Sequence, residues 1–273
     1  MEKTRHGLGR LCAVPHIVWS VLFIIAPLIF VVYYTFTTPD GGFTFDNIFA
    51  LREHTGTFAL SVSLSVIATF ICFAVGYPLA YIIAQSGERA QKIMITLIML
   101  PMWTNLLIRT YSMMAIMDDG GFLNTVLGYF NLGEVHLIGT KGAVIFGMVY
   151  DFLPFMVLPI YNVLVKIDDN TINAARDLGA DYFQTLRKVI LPLSFPGIAS
   201  GIIMVFVPAL TTFVVSDILG GGKLLLIGNL VENKVKADNI NLGAGLSLIL
   251  MIFIVLNMLF TAKYDKSEGG NVL

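Results

Sequence analysis

The chain has 273 residues, of which 56% are hydrophobic and only 13% charged, against about 25% charged in a soluble domain. Its formal net charge is −1 and its mean hydropathy +0.81. These values exclude an ordinary soluble globular domain; the net charge says nothing about partners, and no nucleic-acid partner is expected.

A bilayer core about 30 Å thick needs roughly 20 apolar residues per helix. Six stretches are long enough: residues 11–36, 58–84, 93–117, 141–165, 191–216 and 243–262. The expected architecture is all-α and integral to the membrane, one transmembrane domain over residues 1–273 with lipid as a constant partner. The first stretch follows Lys3, Arg5 and Arg10, as in a signal peptide. Its apolar run is too long and no small-x-small cleavage site follows, so it is expected to remain as an anchor. Cys12 and Cys72 fall in predicted spans, so no structural disulfide is expected. The N-terminus, the 85–92 and 166–190 loops and the C-terminal tail hold eleven Lys and Arg, the other loops five. By the positive-inside rule both termini face the cytoplasm.

Pro27, Pro78, Pro101, Pro154, Pro159, Pro196 and Pro208 lie in the spans, where neighbouring helices can satisfy the freed carbonyls. Kinks there would suit a bundle that opens and closes. Residues 196–201 carry a small-x-x-x-small pattern that favours close helix packing. Short interfacial helices are expected at 121–127 and 224–231.

Arg109 lies within the third span. An arginine at the bilayer centre costs on the order of 3 kcal/mol, so it is expected to face the bundle interior or a wet cavity. Asp151 lies in the fourth span at a matching depth, roughly 12–17 Å from the external side by helical rise. Two readings stay open: a buried pair that neutralises two charges, or a cation path through Asp151 with Arg109 orienting it. Asn105 shares the polar stretch around Arg109. Asp217, like Asp118 and Asp119, lies at an external span end, either attracting cations or simply solvated. Trp103, Tyr111, Tyr150 and Tyr161 offer aromatic faces to an ammonium group; interfacial anchoring explains some of them equally well, Tyr161 near the cytoplasmic end above all.

The polar loop at 166–190 carries Ile172, Ala175, Gly179, Tyr182, Phe183, Leu186 and Ile190 at helical spacing. Arg176, Asp177, Gln184 and Lys188 fall on the opposite face. A water-facing helix with an apolar seam and a pit of small residues is expected to receive another protein.

Catalytic chemistry is missing. Gly220-Gly221-Gly222-Lys223 lacks the following Ser or Thr and the upstream glycine of a phosphate-binding loop. His6, His16, His54 and His136 are far apart, so no metal site is expected. A self-contained enzyme is not expected.

The loop also contains Ala174-Ala175, Gly179 and Leu191-Pro192, in a pattern that resembles the permease subunits of ABC importers. Asn173 stands where that family has glutamate. Three further blocks are similar to the spermidine/putrescine permeases, and to the first-named of the two: Leu100-Pro101-Met102-Trp103-Thr104-Asn105-Leu106-Leu107-Ile108-Arg109-Thr110-Tyr111, Leu153-Pro154-Phe155-Met156-Val157-Leu158-Pro159-Ile160-Tyr161, and Ser216–Lys223 with Leu226-Ile227-Gly228-Asn229. The resemblance implies a type I importer (MetI-like) fold with six transmembrane helices in a bacterial inner membrane. It implies a cytoplasmic coupling helix carrying Asn173, Ala174, Ala175, Asp177, Gly179, Tyr182 and Phe183. It also implies a heterodimer with a second homologous permease, an ATPase dimer that binds ATP and magnesium (this chain holding no cofactor), and an extracytoplasmic polyamine-binding protein. Related permeases carry iron, thiamine, opines or phosphonates, which leaves those solutes as alternatives. An ion-coupled secondary transporter is a third class, for which no internal repeat is visible.

Overall fold

The computed structural model describes residues 15–130 and 132–265, with side chains to residue 259. Lys3, Arg5, Arg10 and Cys12, and with them the start of the predicted first span, lie outside the described residues. The described residues form helices and turns without a strand; an isolated bridge joins Thr37 and Phe43.

The chain divides into two compact units, one made of residues 1–55 and 230–253. In it, α1 (Pro15–Thr35) is 21 residues long with mean hydropathy 2.4. A tight turn follows, in which Gly41 takes φ +83° and Phe36, Phe43 and Phe45 pack ring to ring. Asn47, in α2 (Asp46–Phe49), donates to the Thr35 and Thr37 carbonyls that α1 leaves unpaired at 3.0 and 3.1 Å. Asn241 at the start of α13 (Ile240–Asp265) donates to the Thr37 carbonyl at 2.6 Å. The two amides cap α1 where water would otherwise be needed.

The other unit holds residues 56–229 and 254–273. Its first long helix is α3 (Thr55–Ala84). Ser61, Ser65, Ala68, Thr69, Cys72, Gly76 and Ala80 form a buried small-residue stripe along it. The hydroxyls of Ser61, Ser65 and Thr69 each donate to the carbonyl four residues earlier, at 2.7–2.8 Å. That back-bonding removes the cost of a hydroxyl in an apolar interior. Cys72 is buried and free. The centre of the unit is α7 (Lys141–Leu164) packed on α10 (Phe195–Thr211). Gly197 and Gly201 allow that approach: a Cβ at either would lie 2.8 Å from the Pro159 carbonyl oxygen or the Met156 sulfur. The small-x-x-x-small pattern is thus a helix contact.

The third and fifth predicted spans are each broken. The third is α4 (Glu88–Met99) with a 3-10 turn over Leu100–Trp103, then α5 (Leu106–Met117); the runs on either side of Thr104-Asn105 meet at 94°. Pro101 opens the 3-10 turn, and extended Asn105 caps α5 by accepting from Leu107 N at 2.8 Å. After Asp118, Asn124 in α6 (Phe122–Tyr129) pins the following loop through Val135. The fifth span bends by 64° at Ser194, between Pro192 and Pro196. Its second half stops at Thr211, and α11 (Val214–Leu219) is separate. Pro78, Pro154, Pro159 and Pro208, by contrast, sit inside continuous helices. Among the described residues four helices are long and apolar enough to cross a membrane, or up to six spans if each bent pair is one.

The 166–190 loop is also two elements, not the continuous helix expected from its seam. Asp168 caps α8 (Asp169–Asp177) by accepting from Asn170 N at 2.9 Å. The helix stops where Gly179 enters the left-handed region at φ +82°. Ala180 N bonds Ala175 O at 3.1 Å and Gly179 N bonds Arg176 O at 2.8 Å, the glycine-terminated Schellman arrangement. Asp181 and Gln184 then form a capping box that starts α9 (Tyr182–Thr185). Ile172 and Ala175 therefore lie on one helix, Tyr182 and Phe183 on the next, and Leu186 and Ile190 on the π-helical turn that continues it.

Candidate functional site

Two regions gather the predicted site residues. The first is a cavity of about 420 Å³ lined by Thr104, Ile108, Arg109, Ser112, Met113, Ile116, Met117, Phe146 and Tyr150. It borders the break before α5, and its α5 wall is one helical face (Ile108, Ser112 and Ile116 at spacing four). From the cavity wall Arg109 also reaches α7. Its Nε lies 2.5 Å from Asp151 Oδ1, with the two side chains 10% and 0% exposed. Its Nη1 donates to the Pro101 carbonyl at 2.5 Å, and its guanidinium carbon lies 5.8 Å from the Tyr150 ring centre. The Nε–H is not aimed at the carboxylate, and among the described residues no donor bonds either Asp151 oxygen. The contact is an ion pair between two desolvated charges, one group deep. The cation faces the cavity; the carboxylate stands behind it.

The other candidates spread out. Asn105 is used as the α5 cap. Trp103 and Tyr111 are 69% and 54% exposed and do not line the cavity. Asp217 is exposed on α11, outside the cavity. The lining residues missed by sequence reasoning are Thr104, Ile108, Ser112, Met113, Ile116, Met117 and Phe146, whose types match ordinary span residues. In the 118–140 loop, Asp119 Oδ1 and His136 Nδ1 lie 2.7 Å apart.

The second region is the α8–α9 surface. Asn173, Ala174, Asp177, Gly179, Tyr182 and Phe183 are exposed and Ala175 is half-buried. Leu178, absent from the predicted set, is 90% exposed. An exposed leucine beside a glycine and two alanines makes a knob next to a shallow apolar step. Behind α8 lies a polar cavity of about 700 Å³, whose walls include Tyr81, Gln91, Asp169, Asn173 and Arg176.

Residues 76–268 match the family model described as the binding-protein-dependent transport system inner membrane component. That match spans more than half of the chain. The chain belongs to this family. Among similar permeases is the spermidine/putrescine transport system permease protein PotB of Haemophilus influenzae, 35% identical over 266 residues, covering 90% of this chain and 93% of that one. The protein of the same name from Escherichia coli is 37% identical over 254 residues, covering 88% and 92%. A bacterial ABC transporter structure, involved in import of the acidic polysaccharide alginate, superposes with TM-score 0.82 at 17% identity, covering 97% of each chain. The MetNI methionine ABC transporter gives TM-score 0.59 at 18% identity, covering 78% of this chain and 94% of that one. At such identities the likeness concerns the fold, that of an ABC importer permease.

In this permease the glycine-rich block is structural. Gly221 and Gly222 take φ +57° and +68°. Buried Asn229 accepts from Ser216 Oγ at 2.5 Å and from Leu226 N at 3.2 Å, and donates to Phe213 O at 3.0 Å. It staples the start of α12 (Ile227–Lys236) to α11. Gly228 leaves room for the Thr211 carbonyl, which a Cβ would meet at 2.6 Å.

Proposed function

We propose that this chain is a membrane permease subunit of an ATP-driven importer for polyamines, of the spermidine and putrescine type. The observation that carries this reading is the 35–37% identity, over about nine-tenths of the chain, to permeases named for those solutes. Both termini face the cytoplasm, and so do α8 and α9. The exposed step of Ala174, Gly179, Leu178, Tyr182 and Phe183 docks on an ATPase subunit, which holds the ATP and magnesium; this chain holds no cofactor. A second homologous permease completes the translocation path, and an extracytoplasmic binding protein delivers the solute. The bent spans are the parts with two arrangements, outward-open and inward-open. The cavity beside Arg109 and Tyr150 is this chain's share of the path. Asp151 keeps Arg109 neutralised there, so that a cationic solute meets hydroxyls, methionines and an aromatic ring without a net positive charge.

A second reading, a permease for another small solute such as a phosphonate or an opine, is favoured by one observation: the charge that faces the cavity is the Arg109 guanidinium. Uptake of labelled spermidine and putrescine into proteoliposomes holding the full complex and its binding protein separates the two. Saturable, ATP-dependent polyamine uptake that resists unlabelled iron, thiamine, opines and phosphonates is expected. ATP-dependent uptake of one of those competitors alone would keep the importer and replace the solute.

A further inference from the structure

Helices α4 and α7 are joined by a polar clasp at each end. At the lower end the Gln91 side chain donates from Nε2 to the carbonyls of Ala84 at 3.1 Å and Ser86 at 2.8 Å. Its Oε1 accepts from the Tyr161 hydroxyl at 3.1 Å. One amide thus caps the last turn of α3, closes the α3–α4 turn and grips the end of α7. At the upper end Arg109 holds the Pro101 carbonyl with one nitrogen and meets Asp151 on α7 with another. Ten residues separate Gln91 from Pro101, and ten separate Asp151 from Tyr161. At about 1.5 Å per residue in α-helix and about 2.0 Å in the 3-10 turn at Leu100–Pro101, the clasps are spanned by nearly equal lengths of chain, running in opposite directions. Such a pair resists sliding, because sliding would break the half-buried amide contacts at the lower end and the buried ion pair at the upper end together.

The surroundings give this strut a task. The end of α7 leads through Val165–Asp168 directly into α8, the element proposed to meet the ATPase. The polar cavity behind α8 separates it from the ends of α3 and α4 and leaves it room to shift. The upper clasp borders the 94° break and the cavity beside Arg109. We infer that Gln91 is a positioning residue for coupling: through Tyr161 it makes α4 follow α7 when α8 is displaced, and so carries that displacement to the break at Thr104-Asn105. This rests on the importer reading above.

The test uses the reconstituted complex with its binding protein and compares wild type with Gln91→Ala, Tyr161→Phe and the double variant. Solute imported per ATP hydrolysed is measured, with ATPase copurification as the check on assembly. The ratio is taken for whichever solute the wild type imports. A wrong solute assignment therefore shows in the wild type, and a wrong clasp in the variants. We expect intact complexes with ATPase rates within about twofold of wild type, imported solute per ATP lower by about tenfold, and a double variant no worse than Gln91→Ala. Tyr161→Phe removes one hydroxyl and keeps the packing, so it reads the clasp even if Gln91→Ala assembles poorly. An unchanged ratio in both single variants overturns the inference. So does a fall in uptake that only tracks loss of assembled complex, since Gln91 would then be mere support.

Discussion

Arg109 and Asp151 show how one residue's solution constrains another's. A guanidinium inside a span needs an anion, and a fully buried carboxylate needs a cation. Removing either alone leaves a desolvated charge, a loss of about 3 kcal/mol or more. Asp151→Asn is expected to lower the thermal unfolding midpoint of the purified complex and to impair polyamine uptake with it. Arg109→Met combined with Asp151→Leu removes both charges and is expected to recover most of that stability, read by the same melt. If the double variant is stable yet transports nothing, the pair serves the path as well as the fold; if it stays unstable, packing around Pro101 and Tyr150 matters more than charge. His136 gives a second case, outside the spans. The hydrogen bond and charge of Asp119, with a smaller contribution from Glu134, raise its pKa above 6.5 against a slight opposing desolvation. A raised folded pKa means the pair's stabilisation is fully present below the unfolded value near 6.5 and is lost as pH climbs through the folded value. Histidine NMR titration should find the midpoint above 6.5, and Asp119→Asn should bring it down; a midpoint indifferent to that change would mean the pair does not persist in solution.

The elements differ in how far the sequence announces them. Apolar length is additive over some twenty residues, so the stretch at 141–165 is readable despite Pro154 and Pro159, as is the proline-free one at 243–262. The breaks are not, because the same residue has opposite outcomes. Pro154 and Pro159 lie inside α7 while Pro101 and Pro192 stand beside bends, and packing partners decide between them. The pairing of Arg109 with Asp151 was readable as one option, because charges in lipid have few solutions. The cavity beside it was not, because Ile108, Met113 and Phe146 look like any lipid-facing residue. Gly179 is the instructive error: helical spacing placed it on a helix face, but it ends the helix. At φ +82° any side chain is strained, although a Cβ there would meet nothing within 4 Å. Gly179→Ala is expected to cost about 1 kcal/mol through backbone strain, and Gly179→Asn less. A valine adds both strain and bulk on the exposed step. If α8 docks on an ATPase, copurification should survive Asn, weaken with Ala and fail with Val. Equal copurification for all three would remove Gly179 from the docking surface.

At the scale of the whole molecule, every functional assignment depends on which loops share a side of the membrane. By the positive-inside rule the eleven-to-five division of Lys and Arg is expected to put 85–92 and 166–190 together inside, and 118–140 outside. The structure adds an independent tie within that scheme, since Gln85, Ser86, Asp169 and Asn173 line one cavity and so share one aqueous face. Single cysteines at Glu88 and Asp119, in a background with Cys12 and Cys72 changed to serine, separate the possibilities. An impermeant maleimide is expected to label Asp119→Cys in intact cells, and Glu88→Cys only in inside-out vesicles. The reverse pattern would turn α8 outward, where no ATPase can reach it, and the coupling surface and the α4–α7 strut would fall together. Labelling of both from one side would mean that the bent α4–α5 pair enters and leaves by the same face. The 94° break would then mark a re-entrant element instead of a bent span, and the cavity beside Arg109 would open towards that face alone.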